Sequence, residues 1–175
     1  MIEVRRIDAS NQNDLRLPND PFSMPGRLLV SLQDGVWSCR EELYEKPASM
    51  RFPDEAYDLA QIDGEGGAFA AYEKGQCVGV AIYQKHFFGY LHLLDLKVSA
   101  AFRGRGVGKA LLEAGVSFAR ELGYRGIFLE AQDNNLDACR FYLRCGFQIG
   151  GFNNRIYHGT SQEGKSDIFF YYDFV

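Results

Sequence analysis

This chain has no long apolar run, no paired cysteine motif and no surplus of positive charge. No stretch approaches the roughly 20 apolar residues that a membrane-spanning helix needs. The N-terminal MIEVRRIDAS lacks the apolar core of an export signal. Cys39, Cys77, Cys139 and Cys145 form no C-x-x-C pair, and His86, His92 and His158 do not cluster with them, so no metal site is expected. Scattered cysteines without an export signal read as reduced thiols, and a cytoplasmic location is the expectation. A formal net charge of -4 and a pI near 5.4 argue against a general nucleic-acid binder and fit a small or cationic partner better. With 175 residues, 46 % of them hydrophobic, the chain is expected to form one domain, residues 1–175, around a real core.

Read in order, Ile2 to Ile7 is a short strand, and Asn11 to Pro25 is loop with room for a helical turn. The aliphatic run within Leu28 to Glu42 fits strand or helix equally well. Pro47 to Gly67 carries Asp54, Glu55, Asp58, Asp63 and Glu65 against Arg51 alone. It reads as a solvated loop with a short helix, or as a rim that attracts an amine. Ala68–Tyr72 and Cys77–Tyr83 are strands joined by Glu73-Lys74-Gly75-Gln76, a hairpin signal. Leu91 to Val98 adds a third antiparallel neighbour. Val107, Ala110, Leu111, Ala114, Phe118 and Leu122 recur at helical spacing up to the stop at Gly123. Gly126–Ala131 is a buried strand, and Asn134 or Asn135 caps a helix from Leu136 to Arg144, closed by Gly146. Phe147–Phe152 and Ile168–Phe174 supply the last strands. The expected fold class is α/β: a mixed sheet, antiparallel early and parallel where the long helix crosses over.

The rest is organised around Leu91 to Lys109, LHLLDLKVSAAFRGRGVGK. A strand, a glycine-rich turn and a helix N-terminus together bind a phosphorylated ligand through backbone N–H groups and the helix dipole. A P-loop is excluded, because Arg103 stands where its first Gly belongs and Ala110 where its hydroxyl belongs. A dinucleotide fingerprint is excluded as well, because Gly108 follows Gly104-x-Gly106 one position early and the unit lies mid-chain. What is left is R-x-x-G-x-G at a helix start, with no acidic residue to hold a metal.

That strand, turn and helix, LDLKV, RGRGVG and KALLEAGVSFA, resemble the acetyl-coenzyme A motif of the GNAT N-acetyltransferases. EAQDNNLDACRFYLRCGF resembles that superfamily's second conserved block. The likeness covers roughly residues 66 to 153, and the whole chain is similar to bacterial streptothricin acetyltransferases. The resemblance implies acetyl-CoA as cofactor, with its pyrophosphate over Arg103, Gly104, Arg105, Gly106, Val107 and Gly108 and further charge from Arg103, Arg105 and Lys109. It implies that the pantetheine arm pairs with backbone of Leu96, Lys97 and Val98, beside a splay of that strand from Gly126–Ala131. The Val98 N–H becomes the oxyanion donor, and Asn135 a hydrogen-bond partner of the arm. Tyr142 takes the place of the family's general acid, since a phenol with pKa near ~10 can give a proton to a thiolate of pKa near ~8.5. By its position alone Tyr142 also belongs to a helical apolar face with Ala138 and Phe141.

The attacking amine must be neutral, and freeing an alkylamine of pKa ~10.4 of its proton at pH 7 costs ~4.6 kcal/mol. Glu130 and Asp95, each a carboxylate inside an otherwise apolar strand, are the candidate bases, with Glu130 slightly favoured. A bulge would reverse which of them faces a cleft. Trp37, Phe87, Phe88, Tyr90 and Tyr157 could line an acceptor pocket. The resemblance implies an enzyme that acetylates a small cationic amine, most specifically the β-lysine amino group of streptothricin, and so confers antibiotic resistance. The competing readings are an acetyltransferase of protein N-termini, lysines or polyamines, and a non-catalytic acyl-CoA sensor. A small-molecule amine is the expected partner, without nucleic acid or membrane, and a homodimer is compatible with the sequence.

Overall fold

The computed structural model describes residues 1–86 and 88–174. Its strands are β1 (Ile2–Arg6), β2 (Phe22–Gln33), β3 (Val36–Met50), β4 (Gly66–Glu73), β5 (Gln76–Gln84), β6 (Tyr90–Val98), β7 (Gly126–Gln132), β8 (Gln148–Asn153) and β9 (Asp167–Asp173). Its α-helices are α1 (Leu59–Glu65), α2 (Val107–Glu121) and α3 (Leu136–Arg144). Among the described residues no helix is long and apolar enough to cross a membrane. The chain divides into two compact units: one of residues 1–21, 51–127 and Phe174, the other of residues 22–50 and 128–173.

In the first unit the strands run β1-β4-β5-β6, each pair antiparallel; the hairpin signals predict this for β4, β5 and β6, and β1 adds itself beside β4. The β4–β5 connection tightens to the two residues Lys74 and Gly75, both at positive φ, the turn whose twist matches paired strands. Gly126 and Ile127, the first residues of β7, follow β6 in the strand order, with α2 as the crossover that parallel neighbours require. One sheet face carries Val80 and Ile82 of β5 with Ile7, Leu15, Ile62, Ala68, Ala70 and Tyr72, with Tyr57 and Leu59 packed against them. The other face receives α2. The Tyr83 hydroxyl donates to the Leu111 carbonyl at 3.0 Å, and a side chain at Gly115 would run into the Tyr83 ring. Gly79 is required for the same reason, since a Cβ there would lie 2.8 Å from Val107 and 3.1 Å from Leu111.

In the second unit β9 lies between β7 and β8, antiparallel to β8. The undecided stretch from Leu28 to Glu42 is a hairpin, β2 with β3, closed by Asp34 and Gly35 at φ 50 and 77. The expected loop before Pro25 gives way to β2 at Phe22, and only Gln12–Arg16 forms a short 3-10 turn. Pro25 falls in the register shift between Met24 and Gly26, where no ladder N–H is needed. Arg140 of α3 clasps Glu41 of β3 with two bonds of 2.7 and 2.6 Å. Tyr142 packs edge-on to Phe147 and against Phe141 and Phe170.

Candidate active site

The glycine turn of the first unit has the conformation an anion cradle needs. Gly104 and Gly106 have φ 72 and 85, and a Cβ at either would meet nothing within 4 Å. Glycine is therefore demanded by the left-handed backbone and not by crowding. Gly106 caps α2, and its carbonyl takes the first helical bond, from Ala110 at 3.0 Å. The N–H groups of Val107, Gly108 and Lys109 thus have no carbonyl inside the helix. They point their partial positive charge out of its N-terminus.

The arginines of the turn hold the chain to itself. Arg103 gives its backbone N–H to Ala100 at 3.3 Å, and its guanidinium goes to the carbonyls of Val98 (3.1 Å), Pro21 (2.8 Å) and Asp20 (3.3 Å). The Asp20 carboxylate in turn accepts the Ala100 N–H at 2.7 Å. Arg103 is thus a clamp on residues 20–21 and on the end of β6. Arg105 pairs with Glu73 at 2.6 Å and lies over the Phe102 ring, while Lys109 reaches Glu113 at 3.8 Å across one exposed helical turn.

β6 contains the bulge on which the placement of its carboxylate depends. Tyr83 pairs with Leu93 and Ile82 with Asp95, which leaves Leu94 unpaired and 45 % exposed. The bulge reverses the parity of the strand. Leu93 shares the face of Tyr83, toward α2, whereas Asp95 and Lys97 share the face of Ile82 and Val80, toward Tyr57. Lys97, 7 % exposed, places its Nζ 3.1 Å from Glu55 and 3.3 Å from Asp95. It also lies over the Tyr57 ring, whose hydroxyl donates to Asp95 Oδ2 at 3.1 Å.

Sequence reasoning placed Lys97 at the cofactor through its backbone; its side chain is the cation of a buried cluster. Both contacts to Asp95 fall on Oδ2. Burial pushes the Asp95 carboxyl above its ordinary range, the Lys97 charge pulls it back in part, and Glu55 adds to the rise. Burial and the Asp95 charge likewise raise the Tyr57 phenol.

The second unit holds the remaining candidates. Tyr142 is 8 % exposed within its aromatic cluster, and Asn135 caps α3 through its side-chain oxygen, which accepts from the Ala138 N–H at 3.4 Å. Asn135 does this and Asn134 does not. Asn134 is buried, gives its Nδ2 to the sulfur of Met24 at 3.3 Å, and its Oδ1 has no partner among the described residues. Glu130 is the one exposed position of β7. Its charge adds to the burial that raises Asp167 and Tyr171. Gln132, Tyr157 and Asp167 form a hydrogen-bonded chain that only Tyr157, as a pocket aromatic, had signalled. The polar run Gln132-Asp133-Asn134-Asn135 ending a buried strand was the available clue. Trp37 lies on β3, Phe88 is exposed, and Tyr90 lies beneath Arg125. Phe87 falls outside the described residues. Among those residues, no group of three or more His, Cys, Asp and Glu could hold a metal ion.

A family model described as the acetyltransferase (GNAT) family matches residues 31–147. Streptothricin acetyltransferase A of Bacillus subtilis (strain 168) is 34 % identical over 172 residues, covering 98 % of this chain and 99 % of that protein. A Bacillus anthracis str. Ames protein solved in complex with acetyl coenzyme A aligns with TM-score 0.89 and 26 % identity, covering 100 % of this chain and 99 % of that one. A solved nourseothricin acetyltransferase aligns with TM-score 0.82 and 25 % identity over 98 % of each chain.

Proposed function

The chain belongs to the acetyltransferase (GNAT) family, has its mixed α/β fold and is an acetyl-CoA-dependent N-acetyltransferase, and from that premise we propose that its acceptor is an amine of a small cationic molecule, the β-lysine amino group of streptothricin. The observation that carries the acceptor is the end-to-end similarity to streptothricin acetyltransferase A, which spans the acceptor-side segments as well as the cofactor motif. Acetylation of that amine inactivates the antibiotic.

Bound acetyl-CoA supplies an acetyl group activated as a thioester. The residues of this chain bind, orient and move protons around it. The left-handed turn at Gly104 and Gly106 and the open N–H groups of Val107, Gly108 and Lys109 hold the pyrophosphate, with Arg105 and Lys109 near the rim. Arg103 fixes the Val98 peptide by capping its carbonyl, and backbone of Leu96 to Val98 receives the pantetheine arm. The Val98 N–H polarises the thioester carbonyl. Asn135, whose side-chain oxygen caps α3, is the residue we assign to hydrogen-bond the arm. Tyr142 gives a proton to the departing thiolate, and burial among aromatic rings limits the rotamers open to it.

For the proton that the amine must lose, the environment of Asp95 favours it over the exposed Glu130. Asp95 is 18 % exposed, its carboxyl is raised by burial, and its Oδ1 has no partner among the described residues, which makes it the stronger candidate for proton acceptor. Glu130 then contributes negative potential for a cationic acceptor. The test is a thiol-release assay with acetyl-CoA against streptothricin, lysine, polyamines and a peptide panel. Selective acceleration by streptothricin is expected. Equal or greater rates with polyamines or peptides would transfer the acceptor to those classes, and acetyl-CoA binding without turnover on any amine would leave a sensor.

A further inference from the structure

Lys97 and Asp95 stand where a strand facing an apolar core ordinarily carries aliphatic side chains. Their register partners on β5 are Val80 and Ile82, both fully buried. A buried ion cluster is weak evidence for stability, because well-packed apolar residues of similar volume do as well or better. Two charged side chains on that face therefore call for another explanation.

The cluster is one-sided, and all of it lies in the first unit. The Lys97 ammonium at 3.3 Å and the Tyr57 hydroxyl at 3.1 Å both meet Asp95 on Oδ2, and Oδ1 has no partner among the described residues. A carboxylate held by two donors on one oxygen cannot turn over without breaking both bonds. The donors are fixed in their turn. Lys97 also gives to Glu55 Oε2 at 3.1 Å, and that oxygen accepts from Asn19 Nδ2 at 3.1 Å. Asn19 is held by the Pro53 carbonyl at 2.9 Å and, through its backbone N–H, by Asp54 at 2.7 Å. The Tyr57 ring lies 5.4 Å from the ammonium, and burial with the charges of Asp95 and Glu55 keeps its phenol protonated, a permanent donor. The groups whose charge or hydrogen bond bears on Asp95 are thus Lys97 of its own strand and Tyr57 and Glu55 of the segment ahead of α1.

We propose that Lys97 is a positioning residue for acetyl transfer: together with the Tyr57 hydroxyl, its ammonium pins Asp95 by Oδ2 and leaves Oδ1 as the oxygen presented to the attacking amine. This rests on the reading of Asp95 as the group that takes the amine proton. Glu55 anchors the ammonium from the far side and shares its charge.

The experiment follows thiol release from acetyl-CoA with streptothricin as a function of pH, for wild type, Lys97→Met, Tyr57→Phe, Glu55→Gln and Asp95→Asn. Lys97→Met should lower kcat tenfold or more, with KM for acetyl-CoA within twofold of wild type. Its acid limb of kcat/KM should move to higher pH by about half a unit or more, because ionised Asp95 has lost its cation. Tyr57→Phe keeps the ring beside the ammonium, removes the other donor to Oδ2 and should move the limb the same way; it replaces Lys97→Met if that variant does not fold. Glu55→Gln removes a neighbouring negative charge and should move the limb to lower pH. Damage to the fold alone would reduce the amount of active enzyme without moving the limb in opposite directions. A limb that stays in place in whichever of Lys97→Met and Tyr57→Phe folds, while Asp95→Asn is inactive, overturns the proposal by itself. Turnover by Asp95→Asn within twofold of wild type shows instead that Asp95 is not the base, and the proposal falls with that reading. Should streptothricin not be acetylated, the acceptor reading alone fails, and the same profiles are taken on whichever of lysine, the polyamines and the peptides accelerates thiol release most.

Discussion

Lys97 holds Asp95 at 3.3 Å on the face of β6 turned away from α2, with Glu55 at 3.1 Å on the same ammonium. Removing the cation leaves buried negative charge without compensation. Lys97→Met is therefore expected to cost about 3–5 kcal/mol of stability. Adding Asp95→Leu should recover part of the loss, and urea denaturation of the three variants checks that non-additivity.

Asp95 also sets a pH dependence. Its carboxyl is raised in the folded protein above the ordinary value of 3.8. A raised group contributes stability that is fully present below its unfolded pKa and is lost as pH rises through the folded one. Asp95→Asn should therefore flatten the decline of stability above pH 3.8, read as thermal midpoint against pH. The same variant should lower turnover by 100-fold or more if Asp95 takes the amine proton.

Gly106→Ala isolates the role of backbone conformation in the turn. The added Cβ meets no neighbour, so the cost is that of a left-handed non-glycine residue, about 1–2 kcal/mol. Relaxation of the turn toward negative φ should misdirect the helix N-terminus. Calorimetry should record at least tenfold weaker acetyl-CoA binding, beside a fall of about 2–8 °C in the thermal midpoint that matches the backbone cost.

Tyr142→Phe keeps the ring packed on Phe147 and Phe170 and removes only the phenolic oxygen. Turnover should fall by about 100-fold or more while acetyl-CoA affinity stays within twofold. Steady-state kinetics beside equilibrium binding separates the two.

Gly115→Ala drives a methyl group into Tyr83 and should cost about 1–3 kcal/mol by overpacking α2 on β5. In a Tyr83→Leu background the same change should cost far less. Denaturant midpoints of the four proteins form the cycle that measures it.

The β6–turn–α2 segment was legible because its signals are local: a strand run, glycines at a turn, and a helical period closed by Gly123, which has φ 78. The hairpin of β2 and β3 was not. The aliphatic run Leu28-Leu29-Val30 fits strand and helix alike, and Asp34-Gly35, the hairpin signal between the two strands, was passed over. The Lys97 cluster joins residues 55 and 57 to 95 and 97, and the Gln132 network joins 132 to 157, 162 and 167. Such contacts depend on tertiary proximity, which periodicity does not encode. The bonds of Arg103 to carbonyls were not legible either, because a guanidinium binds carbonyls as readily as phosphates and these contacts depend on where residues 20 and 21 lie.

The unpaired Leu94 makes β6 a strand whose charges are placed by counting. One residue added or deleted between Leu93 and Asp95 would carry Asp95 and Lys97 round to the face of Tyr83 and α2, where no counter-ion of the Glu55 cluster could follow. Exchange of Leu94 itself, exposed as it is, leaves the count intact. At this point in the chain a change of length acts as a frameshift in space, while a change of side chain is nearly silent.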